Sequence, residues 1–149
     1  MTLSRLFSAL GALLVVAALS IPSALAGEKR VTVYKSPQCG CCGGWVDYMR
    51  NAGYSVRVKE MEDVTPIKEF LGVNEELWSC HTAVIDNYVI EGHVTLQAIE
   101  SLLSRRPDNV RGIALPGMPQ GSPGMSGVKD EDWTTYTISD SEPTVFMVE

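Results

Sequence analysis

The stretch "SPQCGCCGGW", residues 36–45, sets three of the chain's four cysteines within four positions. It follows directly on "RVTVYK", Arg30 to Lys35, an alternating run rich in β-branched residues that reads as a strand. Beyond it the period changes. Trp45, Val46, Tyr48, Met49 and Ala52 give an imperfect helical stripe, and Gly53 is a natural stop. The sulfurs therefore belong to the turn between a strand and a helix start, where backbone N–H groups and the helix dipole favour thiolate. Neighbouring Cys41 and Cys42 cannot easily bond to each other, and three thiols leave an odd one. A disulfide framework does not explain the crowding.

The remaining elements limit the fold further. "YSVRVKEM", Tyr54 to Met61, alternates as a second strand. In "VTPIKEFLG", Thr65 reads as an N-cap, Pro66 as the first helical residue and Gly72 as the stop. "TAVIDNYVIEG" reads as a hairpin turning at Asp86-Asn87. "TLQAIESLLSRRP", from Thr95, reads as an amphipathic helix stopped by Pro107. The order βαβαββα is that of a thioredoxin-like α/β domain, in which the loop after the first strand carries the chemistry. "LPGMPQGSPGMSG", Leu115 to Gly127, holds three prolines, four glycines and two methionines, a composition for a loop rather than a core. "DWTTYTIS" and "TVFMVE" then predict a short C-terminal β extension.

Of the 149 residues, the first 26 are of another kind. Arg5 is their one charge, "LFSALGALLVVAAL" is apolar, and Ala24 and Ala26 fit a small-residue cleavage rule before Gly27. This reads as a secretory signal peptide, 1–26, with an apolar run shorter than the roughly 20 residues of a spanning helix. One domain, 27–149, is expected after cleavage, in an oxidising compartment, with no membrane attachment. Loss of Arg5 takes the formal charge from −6 to −7, and an acidic domain with no basic run gives nucleic acid no electrostatic footing. Unpaired thiols in such a compartment need a disulfide or a metal.

Cys39 and Cys42 have the CxxC spacing of a redox dithiol, the pair that would be catalytic in a thiol–disulfide oxidoreductase of secreted proteins. Cys41 is the misfit, because a third thiol invites wrong pairings there, whereas a metal site gains from it. Cys80 and His81, in "SCHTAV", stand just before the third strand, facing the cysteine loop, with His81 where thioredoxin-like folds usually carry a cis-proline. A buried disulfide from Cys80 to Cys41 or Cys42 is the alternative there. His93, in "EGHV", returns to the same end of the sheet, although a histidine at a helix start is often only a surface residue. Met118 and Met125 sit in a loop with little core to fill, and thioether selects Cu(I) over zinc. Met49, Met61 and Met147 read as packing, as do Trp45 and Trp78. The eight donors Cys39, Cys41, Cys42, Cys80, His81, His93, Met118 and Met125 make a soft-metal site for copper. Zinc held by Cys39, Cys42, Cys80 and His81 is the structural alternative.

"CGCC", "SCHTAVIDNYVIEGHV" and "GMPQGSPGM" together resemble the CopG-type copper-resistance proteins, over roughly Arg30 to Gly127. The resemblance implies a thioredoxin-like, periplasmic protein that binds copper ions and interconverts Cu(I) and Cu(II). It implies a multi-copper cluster held by Cys39, Cys41, Cys42 and Cys80, with His81, His93, Met118 and Met125 in matching motifs. It also implies other periplasmic copper-handling proteins as partners. One position departs: Ser126 stands where glutamate is expected.

Overall fold

The computed structural model describes residues 29–149; the expected signal peptide lies outside the described residues. Strand β1 (Arg30–Lys35) leads through the cysteine turn into helix α1 (Gly40–Asn51), then into β2 (Ser55–Glu60). Helix α2 (Thr65–Phe70) and a 3-10 turn (Glu75–Leu77) precede the hairpin of β3 (His81–Ile85) and β4 (Tyr88–Gly92). Helix α3 (Leu96–Arg105), β5 (Gly112–Leu115), β6 (Thr134–Ile138) and β7 (Val145–Val148) complete the chain. The result is a mixed α/β fold with one seven-stranded sheet, ordered β2-β1-β3-β4-β5-β6-β7. Among the described residues, no helix is long and apolar enough to cross a membrane.

The expected order of elements is present, with two differences. First, α2 begins at Thr65 rather than being capped by it. Val64 is the N-cap and makes no side-chain bond there; the Asp63 carboxylate just before it accepts from the Thr65 N–H at 2.9 Å. Second, β5 is an added strand. It pairs parallel with β4, so β4, α3 and β5 form a second βαβ unit beside that of β1, α1 and β2. Its "GIAL" is buried at all four residues, which removes the alternation that marks a half-exposed strand. Gly112 is required there, since a Cβ would fall 1.9 Å from the Val89 carbonyl oxygen.

Strand pairing lines up one apolar row, Val33–Ala83–Ile90–Ile113, across four strands. Trp45, Val46 and Met49 of α1 and Ala98, Ile99 and Leu102 of α3 cover that face. Val89, Ala114 and Ile138 face the other way, against Val73 and Leu77. The hairpin turn has φ of 48° at Asp86 and 71° at Asn87, the left-handed pair of a type I′ turn. That turn fixes the β3–β4 register and so returns the chain to the edge it left.

Thr95 caps α3: its hydroxyl oxygen accepts from the Ala98 N–H at 3.1 Å. The same hydroxyl donates to the carboxylate of Glu149, 2.8 Å from either oxygen, tying the last residue to the core helix. Thr95→Ala removes both bonds. It should lower the urea midpoint by the equivalent of about 0.5–2 kcal/mol with an unchanged denaturant slope. An unchanged midpoint would mean the cap contributes nothing.

Candidate metal centre

Four cysteines and two histidines converge at one end of the sheet. Cys39 is the residue before α1, and Cys41 and Cys42 lie in its first turn. Cys80 and His81 sit at the start of β3, because the β1–β3 register sets Lys35 opposite His81. The ligand atoms of Cys39, Cys41, Cys42 and Cys80 all lie within 4.8 Å of one another. Those of Cys80, His81 and His93 form a second such group, so Cys80 belongs to both. His93 Nε2 is 3.0 Å from Cys80 Sγ, and His81 Nδ1 is 3.5 Å from the same sulfur.

The cysteines occupy two chemical states. Cys39 and Cys42 are joined in a disulfide, the pairing expected of a redox dithiol, while Cys41 and Cys80 are free thiols. Cys80 is paired with neither Cys41 nor Cys42. Cys41 Sγ lies 3.5 Å from Cys39 Sγ. Thiolate, not disulfide sulfur, is the metal ligand. A four-thiolate set therefore requires two-electron reduction of the Cys39–Cys42 bond.

His81 and His93 are fully buried. The His81 ring packs against Trp45 with centroids 4.7 Å apart, and it meets His93 edge-on at 5.0 Å. Trp45 is held by donating its indole N–H to the Val94 carbonyl at 2.9 Å. Burial, then the neighbouring His93 ring and the Lys68 and Lys35 ammoniums, hold His81 well below the usual imidazole range. Burial lowers His93 as well. Both rings are thus kept neutral, the form that ligates. His81 Nε2 is buried without a hydrogen-bond partner among the described residues. Such an orphan costs about 1–3 kcal/mol unless something satisfies it. Burial, reinforced by the Cys41 sulfur, pushes the Cys80 thiol up to about 12, so without metal it holds its proton.

Behind the site lies a group that the cysteine pattern did not indicate. Lys68 reaches in from α2 and donates to Glu91 at 2.5 Å and to Thr82 at 3.1 Å, and both partners are buried. Thr82 donates to the other Glu91 oxygen at 2.6 Å, and the backbone N–H of Ser79 donates to Glu91 at 2.6 Å. The network grips the chain on both sides of Cys80 and His81. Its one sequence signal is a glutamate inside the otherwise apolar "YVIEG".

The loop 116–127 lies partly over the site. The Pro123 carbonyl is 2.7 Å from His93 Nδ1. Met125 is half-buried in the segment that follows, whereas Met118 is exposed, with φ of 50°. Met49 is fully buried, and Met147 packs on the edge of the main core.

The fold and the site define a mixed α/β protein with a cysteine-rich metal-binding site. The chain belongs to the CopG family of copper-resistance proteins. A solved structure described as "Copper resistance protein copG- Form 2" matches it at 32% identity, over 82% of this chain and 98% of that one, with a TM-score of 0.75. Form 1 of the same protein gives the same figures. The family model described as "Protein of unknown function, DUF411" matches residues 77–125, from the turn before Cys80 to Met125. No curated protein matches the chain.

The buried neutral imidazole sets a pH dependence for the metal-free protein. The folded pKa of His81 lies below its ordinary 6.5, so under that pH the unfolded chain takes a proton the folded chain refuses. Stability is full above about pH 6.5 and falls as pH drops, with a slope for His81 alone approaching about 1.4 kcal/mol per unit. Urea titrations from pH 7.5 to 5 should show this loss, and His81→Gln should reduce it, leaving the smaller share of His93. A flat profile in the parent would contradict a buried neutral His81.

Proposed function

We propose that this chain is a periplasmic copper-binding protein of copper resistance, built on a thioredoxin-like frame. The carrying observation is the shared position of Cys80, within 4.8 Å of three cysteine sulfurs and within the same reach of two buried imidazoles. Thiolate prefers Cu(I), imidazole suits Cu(II) as well, and a site that joins them can serve both states. The unpartnered, buried Nε2 of His81 adds support, because a polar atom in that position gains from a ligand. The resemblance to a copper-resistance protein points the same way.

The dithiol gives the site a means of changing copper's oxidation state. Closing the Cys39–Cys42 bond releases two electrons and two protons. Two Cu(II) ions could then leave as two Cu(I) ions, with one disulfide left in the protein. Copper is in this reading the cargo or substrate, and export through residues 1–26 places the chemistry in the periplasm. A second reading, thiol–disulfide exchange on secreted proteins, draws on the same Cys39–Cys42 disulfide. Zinc held by Cys39, Cys42, Cys80 and His81 is a third, structural reading, and it requires unfolding on chelation.

Cysteine 41 separates the first two. Reduced protein should bind at least one Cu(I) per chain, and Cys41→Ser should lower that capacity. As an oxidoreductase the same variant would keep its disulfide turnover. Less than one copper per chain, with no loss in Cys41→Ser, would sink the copper reading.

The loop methionines give an independent test. Changing Met118 and Met125 together to Leu keeps volume and apolarity while removing both thioethers. Metal-free stability should change by less than about 1.5 kcal/mol. Cu(I) affinity should fall while zinc affinity stays. Equal Cu(I) affinity in variant and parent would leave the loop methionines without a ligand role.

A further inference from the structure

Helix α1 carries three glycines in its first turns, and they are not equivalent. A Cβ on Gly40 or on Gly43 would meet nothing within 4 Å. A Cβ on Gly44 would fall 2.9 Å from the Cα and 3.0 Å from the carbonyl oxygen of Gly124, in the loop 116–127. The reverse holds too: a Cβ on Gly124 would lie 2.4 Å from the Trp45 nitrogen and 2.6 Å from the Cys41 oxygen. Gly124 also has φ of 86°, a conformation that favours glycine. The loop backbone therefore lies directly on the helix backbone, in a contact that no side chain fits.

The residue before Gly124 is the one that touches the site. The Pro123 carbonyl, 2.7 Å from His93 Nδ1, can only accept, so Nδ1 carries the ring proton. In the neutral ring this leaves Nε2 as a bare lone pair. Nε2 is 3.0 Å from Cys80 Sγ. The two contacts of the ring agree: a protonated thiol donates to Nε2 while Nδ1–H donates to the carbonyl. Were the proton on Nε2 instead, the carbonyl would face a lone pair. Within the loop, the Ser122 hydroxyl donates to the Pro119 carbonyl at 2.6 Å, and the Met125 N–H donates to the Ser122 carbonyl at 2.8 Å, which shapes the turn that presents Pro123.

We infer that Gly44 and Gly124 are positioning residues. Their backbone contact seats the Pro123 carbonyl on His93, and that carbonyl fixes the ring tautomer that aims the Nε2 lone pair at Cys80. The loop thus orients a ligand through its main chain, separately from anything its methionines do. The consequence for metal rests on the copper reading above; the tautomer assignment does not. Orienting partners of metal-bound histidines typically contribute 10- to 100-fold in affinity.

The test compares two adjacent glycines on one helix. The full chain, 15N-labelled, reduced and metal-free, is read by the ring nitrogen shifts of His93, beside G43A and G44A variants. The parent and G43A should show a single neutral tautomer with the proton on Nδ1. G44A places a methyl in the contact and should lose that preference. Its Cu(I) affinity, measured by competition with a Cu(I) chelator, should fall at least tenfold while that of G43A holds. Alanine is the better helix former at both positions, so a purely local helix effect would act on both variants alike. If G44A does not fold, Ser122→Ala, which frees the same loop turn, takes its place in both measurements. A parent with the proton on Nε2, or a G44A variant with its tautomer unmoved, overturns the inference. A shifted tautomer with unchanged Cu(I) affinity overturns the link to metal. A parent that binds no Cu(I) but shows the expected tautomers sinks the copper reading and leaves the positioning role standing.

Discussion

The antiparallel register of β1 on β3, with Lys35 opposite His81, decides where each sulfur and imidazole can lie. It brings the end of β1, from which the cysteine turn departs, beside the start of β3, where Cys80 and His81 begin the strand. The two-residue turn at Asp86-Asn87 then sets Thr82 opposite Glu91, so His93 emerges at the same end of the sheet. A slip of one residue would turn His81 to the opposite face, away from Trp45 and α1. The apolar row through Val33, Ala83, Ile90 and Ile113 resists such a slip, because it would expose the core to the α2 side.

This arrangement carries a cost that the rest of the molecule offsets. Two imidazoles, two lysines, Lys35 and Lys68, and a glutamate are buried around one strand junction. Buried charges are tolerable only when their hydrogen-bonding capacity is met. Glu91 meets it with Lys68, Thr82 and the Ser79 N–H, all within 2.6 Å of one of its oxygens. Desolvation still raises the Glu91 carboxyl against the lowering effect of Lys68. The network fixes backbone on either side of Cys80 rather than adding net stability. Its function is geometric: the Cys80 sulfur has to face the cysteine turn on one side and His93 on the other.

Much of this was legible in the sequence because its cues are local. The strand of Arg30 to Lys35, the turn at Asp86-Asn87 and the amphipathic helix that stops before Pro107 each announce themselves within a few residues. The three-cysteine turn and the placement of Cys80, His81 and His93 followed from the order of elements. β5 was not legible, since four fully buried residues carry no alternation and run into a Gly/Pro loop. Lys68 was hidden because a lysine on a short helix ordinarily points to water, and only the fold shows that it points at Glu91. The contact between Gly44 and Gly124 joins positions far apart in the chain, and no local pattern marks which of several glycines lies against another backbone. The state of the cysteines was also open to sequence reasoning only as alternatives, since spacing fits both a dithiol and a ligand set.

The central claim is that one sulfur, Cys80, joins a thiolate group to an imidazole group around copper. X-ray absorption at the copper K-edge of the reduced, Cu(I)-loaded protein addresses it directly. The account predicts a coordination shell dominated by sulfur, accompanied by the outer-shell scattering of imidazole rings, with the imidazole component reduced in His93→Ala. A shell of nitrogen and oxygen alone, without sulfur, would contradict it.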